Sequence, residues 1–308
     1  MYIALTGGLG NQLFQLAASL SRKGEDELVI LSNLGKPRLA STGEPELTKL
    51  FVGDEAFKIS SKGGNWLAQK SVGYILRMGI APKRWETKTT KWFIRKAGSL
   101  ILSISLGRMV AVKEGQGVGY FQSPSASSID LLCGYFQSYR WAFLPEVYPQ
   151  LMKLEPPRPS EQLQELIERA TIEHPVVVHV RLGDYLSEST FGIPSVDYYS
   201  RGIETAVEVS GSKNIWIYSD SIDLAKQFFP VIEGLTYSWV EEVEFSASQT
   251  FQSMRYGSAY VIANSTFSWW AAFLRYESKA IVIAPDPWFK FADDPKDLIP
   301  KEWVVFPG

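Results

Sequence analysis

The feature that most restricts this chain is a regular alternation along its second half. A helix-period segment near 161–170 precedes VVVHV at 176–180, a helix near 197–209, IWIY at 215–218 and a short helix near 222–229. A strand near 235–240, a helix near 247–257, AYVIA at 259–263, a helix near 268–276 and AIVIA at 280–284 follow. The strands are continuous apolar runs, as a sheet with both faces covered requires, so the pattern predicts an α/β fold with a parallel sheet between helices. The chain opens on the same unit: YIAL at 2–5, then Leu13, Leu16, Ala17 and Leu20 at helical spacing, then ELVIL at 27–31. Three prolines in EPPRPS, 155–160, oppose both helix and central strand. The expectation is two Rossmann-like domains facing across a cleft, 1–155 and 156–308, with the last residues packing back on the first. A length of 308 residues agrees, because a single core seldom grows past about 250–300. Residues 36–130 carry too few signals to place elements.

Composition removes several classes of function. Lys+Arg 31 against Asp+Glu 33 disfavours a nucleic-acid binder. A lone cysteine, Cys133, excludes an internal disulfide or a cysteine metal cluster, and the two histidines, His174 and His179, form no HExxH. There is no Asp-x-Asp pair for a divalent cation, and the acidic Glu25, Asp26 and Glu27 precede a strand, the edge away from a ligand. A bound diphosphate would therefore be neutralised by arginine and helix N–H groups, with no metal. No run reaches the roughly 18–20 uncharged apolar residues of a membrane span, and strand-like sequence begins at Tyr2, so the expectation is a soluble, cytoplasmic protein. Residues 62–113 hold eleven Lys or Arg against the single acidic Glu86, interleaved with Trp85, Trp92 and Phe93. Such a face could lie on the inner, anionic surface of a membrane, or it could be a solvated helix pair.

Four polar strand ends carry the candidate chemistry. TGGLGNQLFQ, 6–15, is glycine-rich, yet it lacks the third glycine of the dinucleotide fingerprint and the Gly-Lys-Ser/Thr of a phosphate loop. It delivers Asn11 and Gln12 to a helix N-terminus, where an amide caps the helix or faces a ligand. In VVVHVRLGDY, 176–185, strand alternation turns His179 and Arg181 to one side, and Arg181 could hold a diphosphate while Asp184 accepts a proton. The alternative is an Arg181–Asp184 ion pair closing a turn. Asp220 of IYSDS, 217–221, could accept guanine N–H bonds or cap the next helix. In ANSTFSWWAAFL, 263–274, Asn264, Ser265, Thr266 and Ser268 crowd a strand-to-helix turn of the kind that stabilises phosphate, with Trp269 and Trp270 as packing behind them.

Together, GGLGNQLFQ at 7–15, GYFQS at 134–138, HVRLGDY at 179–185, YSDS at 218–221 and NSTFSWWAAFL at 264–274 resemble, in order and spacing, the motif set of α-1,2-fucosyltransferases. PDPWF near 285 and the closing IPKEW extend the likeness, which leaves 36–130 unmatched. The resemblance implies a GT-B-like, inverting, metal-independent glycosyltransferase, with no cofactor beyond its donor, that moves L-fucose from GDP-β-L-fucose to a galactose 2-hydroxyl. It implies His179 and Asp220 at guanine, Arg181 at the diphosphate, Ser265, Thr266, Phe267 and Ser268 lining the donor, and Asn11 reaching fucose or its phosphate. Gln12 and Gln137 would stand on the acceptor side, toward a glycan that could be lipid-linked. Leu182 replaces a second arginine common in the family, and Gln249 and Ser258 stand where an acidic residue and a Cys or His are usual. A GDP-sugar-binding protein without transfer, or a transferase of another GDP-sugar or linkage, remains the alternative.

Overall fold

The computed structural model describes residues 2–22, 29–50, 57–60, 66–80, 87–106, 109–114, 119–120, 130–186, 192–241, 245–290, 294–295 and 297–308. Glu25, Asp26, Glu27, Lys62, Lys83, Arg84, Trp85, Glu86 and Arg108 lie outside them. Contacts group the chain into two units: Met1–Leu154 with Pro295–Leu298, and Glu155–Asp294 with Ile299–Gly308.

The first unit holds strands β1 (Tyr2–Ala4), β2 (Val29–Ser32), β3 (Phe57–Ser60), β4 (Ala111–Glu114) and β5 (Asp130–Cys133). All pair in parallel, in the order β3-β2-β1-β5-β4. Its helices are α1 (Leu9–Leu20), α2 (Trp66–Ile80), α3 (Lys88–Leu106), α4 (Tyr139–Ala142) and α5 (Tyr148–Met152). Every residue of α1 but Asn11 is buried. Ala68, Val72, Ile75 and Met78 of α2 and Leu102 of α3 pack on Tyr2, Ala4, Val112, Leu131 and Cys133 of the sheet. Burying an aliphatic side chain of this size contributes about 1.5–3 kcal/mol, and such a layer holds the sheet where local signals are faint. That explains why 36–130, silent in the sequence, still contains α2 and α3: their apolar face is defined by contact with β1, β4 and β5.

The second unit holds helices α6 (Glu161–Glu173), α7 (Val196–Ser210), α8 (Ile222–Lys226), α9 (Ala247–Met254) and α10 (Thr266–Phe273). Its strands are β6 (Val176–Val180), β7 (Asn214–Ser219), β8 (Thr236–Val240), β9 (Ala259–Val261), β10 (Ile281–Asp286) and β11 (Val304–Pro307). Again all pair in parallel, in the order β11-β10-β9-β6-β7-β8. All five residues of β6 are buried, as an interior parallel strand demands. The proline-rich joint ends at Ser160, whose hydroxyl accepts the Leu163 N–H and caps α6. The fold is thus α/β with two Rossmann-like units.

Both strand orders reverse beside the first strand of the unit. In the first, the chain runs outward from β1 through β2 to β3 and later returns on the other flank as β4 and β5. In the second it runs from β6 through β7 to β8, then resumes beyond β6 as β9, β10 and β11. At such a reversal the outgoing connections diverge and leave a crevice at the carboxyl strand ends, where ligands of open α/β sheets bind. All five sequence motifs fall at these two reversals.

Candidate active site at two strand-order reversals

At the first reversal, α1 begins at Leu9, three residues ahead of its sequence-predicted start, with Gly8 as N-cap and Gly7 at φ +68. Asn11 and Gln12 therefore lie within the helix and do not cap it. The cap is Glu46, whose carboxylate accepts the Leu9 N–H at 2.8 Å. A carboxylate of the protein thus stands where a phosphate would meet this helix, so the glycine turn is not a phosphate cradle. Gln12 is fully buried. Its amide nitrogen donates to Gly7 O (2.9 Å) and Arg38 O (3.0 Å), and its oxygen accepts the Leu47 N–H (2.9 Å). It is a stitch between the opening turn and the 38–47 segment. Gln15 does the same between Thr6 and Gly134. Asn11 alone of the helix is partly exposed, and its Oδ1 accepts from Gln137 Nε2 at 2.9 Å, while Gln137 Oε1 has no partner among the described residues. The GGLGNQ and GYFQS motifs therefore meet at the adjacent ends of β1 and β5.

At the second reversal the side chains are charged. Beyond β6, the Arg181 guanidinium pairs with Asp220 beyond β7 (Nη1–Oδ2 3.2 Å), and Asp220 Oδ1 accepts the Leu182 N–H at 2.9 Å. Arg181 is thus paired with Asp220. The Asp184 backbone opens a short 3-10 turn, Asp184–Leu186, and its side chain lies outside the described residues. Nor does Asp220 cap α8, which has no side-chain cap. Both its oxygens are engaged, so a guanine at Asp220 would exchange with these bonds. A Cβ at Gly183 would meet Asp220 Oδ2, so a larger residue there would displace the carboxylate that pairs with Arg181. Leu182 turns inward and joins Val180, Ile217 and Tyr199 in the core. At this position an arginine would be a core charge, so leucine removes nothing from the exposed edge beside Arg181.

His179, one residue before the strand end, is 2% exposed. Burial, reinforced by the Arg181 charge, lowers its pKa to about 3, so the imidazole is neutral at physiological pH. Its Nδ1 has no partner among the described residues, and its ring lies 6.2 Å from that of Phe267 in the first turn of α10. Beneath it, Tyr199 donates to His179 O (3.2 Å) and Tyr198 to Ile262 O (2.6 Å), and burial raises the pKa of both phenols, which keeps them donors.

Beyond β9, Ser265 is the N-cap of α10, accepting the Phe267 N–H. The helix thus begins at Thr266, two residues earlier than its periodicity predicts. Ser268 is fully buried, its hydroxyl donating to Ser265 O (3.2 Å) and Ala263 O (3.5 Å). Ser265, Thr266, Phe267 and the first-turn N–H groups form the outward part, and no acidic residue sits in that turn. Tyr185 and Asn264 hold it together. Tyr185 OH donates to Asn264 O (3.1 Å) and carries the Arg181 guanidinium 5.6 Å from its ring, and Asn264 Nδ2 donates to Gly192 O (2.7 Å) and Trp288 O (3.1 Å). Gln249 and Ser258, the two departures, serve the fold: Gln249 completes a capping box with Ser246, and Ser258 donates to His174 O at 2.6 Å. Among the described residues no group of three His, Cys, Asp or Glu is gathered to hold a metal ion.

An arginine, hydroxyls and a helix N-terminus at the reversal of a parallel sheet are groups of the kind that stabilise a phosphate. Residues 160–306 match the family model "Glycosyl transferase family 11", so the second half of the chain is similar to that family. The chain is similar over nearly its whole length to two Escherichia coli proteins. One is "Alpha-1,2-colitosyltransferase", 26% identical over 97% of this chain and 96% of that protein; the other is "O-antigen biosynthesis glycosyltransferase WbnK", 27% identical over 99% of each. Among solved structures, the fucosyltransferase NodZ from Bradyrhizobium aligns over 89% of this chain and 92% of its own, with 13% identity and a TM-score of 0.45.

Proposed function

We propose that the enzyme transfers L-fucose from GDP-β-L-fucose to the 2-hydroxyl of a galactoside, with inversion and without metal, during assembly of a surface polysaccharide. The observation that carries this reading is the convergence of Arg181, His179 and the first turn of α10 at one strand-order reversal, with no acidic residue in that turn. As the sugar–phosphate bond breaks, negative charge grows on the departing GDP. Arg181, held in place by Asp220, and the α10 N–H and hydroxyl groups are fixed donors that stabilise that charge without reorganising. The neutral His179, with an unpartnered buried Nδ1, is suited to a hydrogen bond with guanine. Asn11 and Gln137 are assigned to recognition of the transferred sugar or the acceptor, and Gln12 acts by holding the turn that presents Asn11. Asp184 is the assigned general base, and Asp184→Asn is expected to abolish the acidic limb of the pH–rate profile, whereas an unchanged profile would restrict it to a structural role.

The acceptor is proposed to be a glycan of a polysaccharide precursor, lipid-linked, reached from the cytoplasmic face. A second donor reading is favoured by one observation: a relative similar over the whole chain is named for colitose transfer, so a GDP-sugar carrying colitose is the competing donor. Thermal unfolding in EDTA with GDP, UDP, CDP and NAD in parallel tests the nucleotide. A ligand at 100 times its dissociation constant stabilises by about 2.7 kcal/mol, and only GDP is expected to do so. Incubation with GDP-fucose or GDP-colitose and a galactoside, with the new linkage read by NMR, then separates the two donors. Stabilisation by UDP or NAD alone would overturn the assignment.

A further inference from the structure

The outward face of α2 and α3 in the first unit has no part in the site and is unlike the rest of the surface. The two helices carry Lys70, Arg77, Lys88, Lys91, Arg95 and Lys96 and no acidic residue, in a chain of formal net charge -2. Basic charge is therefore segregated here. Beside Lys70 and Arg77 on α2 and beside Lys96 on α3, large apolar side chains are exposed: Trp66 at 63%, Phe93 at 61%, Leu100 at 63% and Ile104 at 73%, while Lys91 and Arg95 share the side of Gly98 and Leu102. Phe93, Leu100 and Ile104 are spaced seven and four residues apart, which lines them along one side of α3. They are not core residues that failed to pack, because Gly98 and Leu102 turn the opposite side of α3 inward. Cations sit directly on the exposed rings: Lys70 Nζ lies 4.1 Å from the Trp66 centroid and Lys96 Nζ 5.8 Å from that of Trp92. Between the helices runs an open groove of about 520 Å³, lined by Leu67, Lys70, Tyr74, Arg77, Ile94 and Gly98.

We propose that this α2/α3 face is a docking surface for an anionic lipid bilayer. Its charge complements acidic headgroups, and its tryptophans and phenylalanine suit the headgroup–acyl boundary, where amphipathic rings settle with cations beside them. An acidic protein partner would answer the charge equally well, but an apolar stripe spread along a helix, rather than gathered in a pocket, fits a fluid surface better than a rigid one. Contact is interfacial: no helix among the described residues is long and apolar enough to cross a membrane. The proposal stands apart from the donor assignment, since none of these side chains belongs to the site.

Flotation of the whole protein with vesicles tests it. Binding to phosphatidylcholine vesicles containing about 30% phosphatidylglycerol should exceed that to pure phosphatidylcholine at least about tenfold at low salt, and the excess should vanish near 0.5 M salt. Lys70→Glu/Lys96→Glu should lower partitioning on the anionic vesicles at least about tenfold. Phe93→Ser/Ile104→Ser should weaken it several-fold while leaving its salt dependence. Both variants change exposed positions, so their melting temperature and transfer to a soluble acceptor should match the wild type. Absence of wild-type flotation at low salt would overturn the proposal and leave the face to an acidic protein partner. Flotation unaltered in both variants would equally overturn it, placing the contact elsewhere.

Discussion

The two strand-order reversals share a topology and differ in what their polar side chains do. Beside β1 and β5 the chain deploys amides, and most are engaged by the fold: Gln12 and Gln15 bond to backbone on both sides, and Glu46 closes the N-terminus of α1. Beside β6, β7 and β9 it deploys an ion pair, a buried neutral imidazole and a helix N-terminus with no acid in its first turn. At one edge a carboxylate closes the helix N-terminus, while at the other the carboxylate pairs with Arg181 and the first turn of α10 holds no acidic residue. The same sheet reversal therefore carries a helix N-terminus closed by Glu46 in one unit and, in the other, one with no acid in its first turn beside the Arg181–Asp220 pair.

The largest expected effect tests the electrostatics of the second reversal. His179 is held neutral down to about pH 3 when folded but titrates near 6.5 when unfolded, so the unfolded chain binds the extra proton between those values. Stability is therefore complete above pH 6.5 and falls as pH drops, by roughly 5 kcal/mol at pH 3 from this group alone. His179→Gln should flatten that part of the pH-melting curve; an identical acid slope in the variant would contradict the buried, neutral assignment. Next comes Arg181→Ala, expected to reduce kcat by about 10² to 10³, or roughly 3–4 kcal/mol, with little change in melting temperature. Wild-type turnover in the folded variant would move the anion site elsewhere.

Gln12→Ala should do the reverse at the first reversal. It strands the Leu47 N–H and two carbonyls, costing about 2–3 kcal/mol of stability by denaturant titration, while nucleotide affinity of the folded fraction stays unchanged. The smallest effect is Glu46→Gln, which removes the charge at the α1 N-terminus and should lower stability by about 0.5–1 kcal/mol. If that variant instead gained measurable phosphate or GDP affinity at the first reversal, the contrast between the two edges would rest on this one carboxylate.

The second unit was legible almost element by element. VVVHV, IWIY and AIVIA are each a run whose burial on both faces is written in consecutive residues, and their ends differ from the observed strands by no more than about two positions. The first unit was legible only at β1, α1 and β2. Strands β3 and β4 are four residues each, and α2 and α3 carry exposed aromatics that blur their period. Helix starts were misplaced where the cap came from afar or from a serine one turn early: Glu46 lies 37 residues beyond Leu9, and nothing local announces it. Arg181 and His179 were readable because strand alternation is a local rule. The pairing of Arg181 with Asp220 was not, because neighbouring strands in a parallel sheet are separated by a whole helix.

What the sequence by itself determined is the α/β class, the parallel strands of the second unit and the set of chemistry-bearing residues, since each follows from periodicity, turn chemistry or side-chain type within a few positions. Only the tertiary structure decided which of those residues face outward and which are engaged by the fold. It turned Gln12, Ser268 and Leu182 inward, left Asn11 and Arg181 at the edge, and set a carboxylate on one helix N-terminus and none on the other. Those outcomes depend on strand order and on contacts tens of residues apart, and the free energy of a buried hydrogen bond or ion pair is fixed by the partner it meets, which no local pattern encodes.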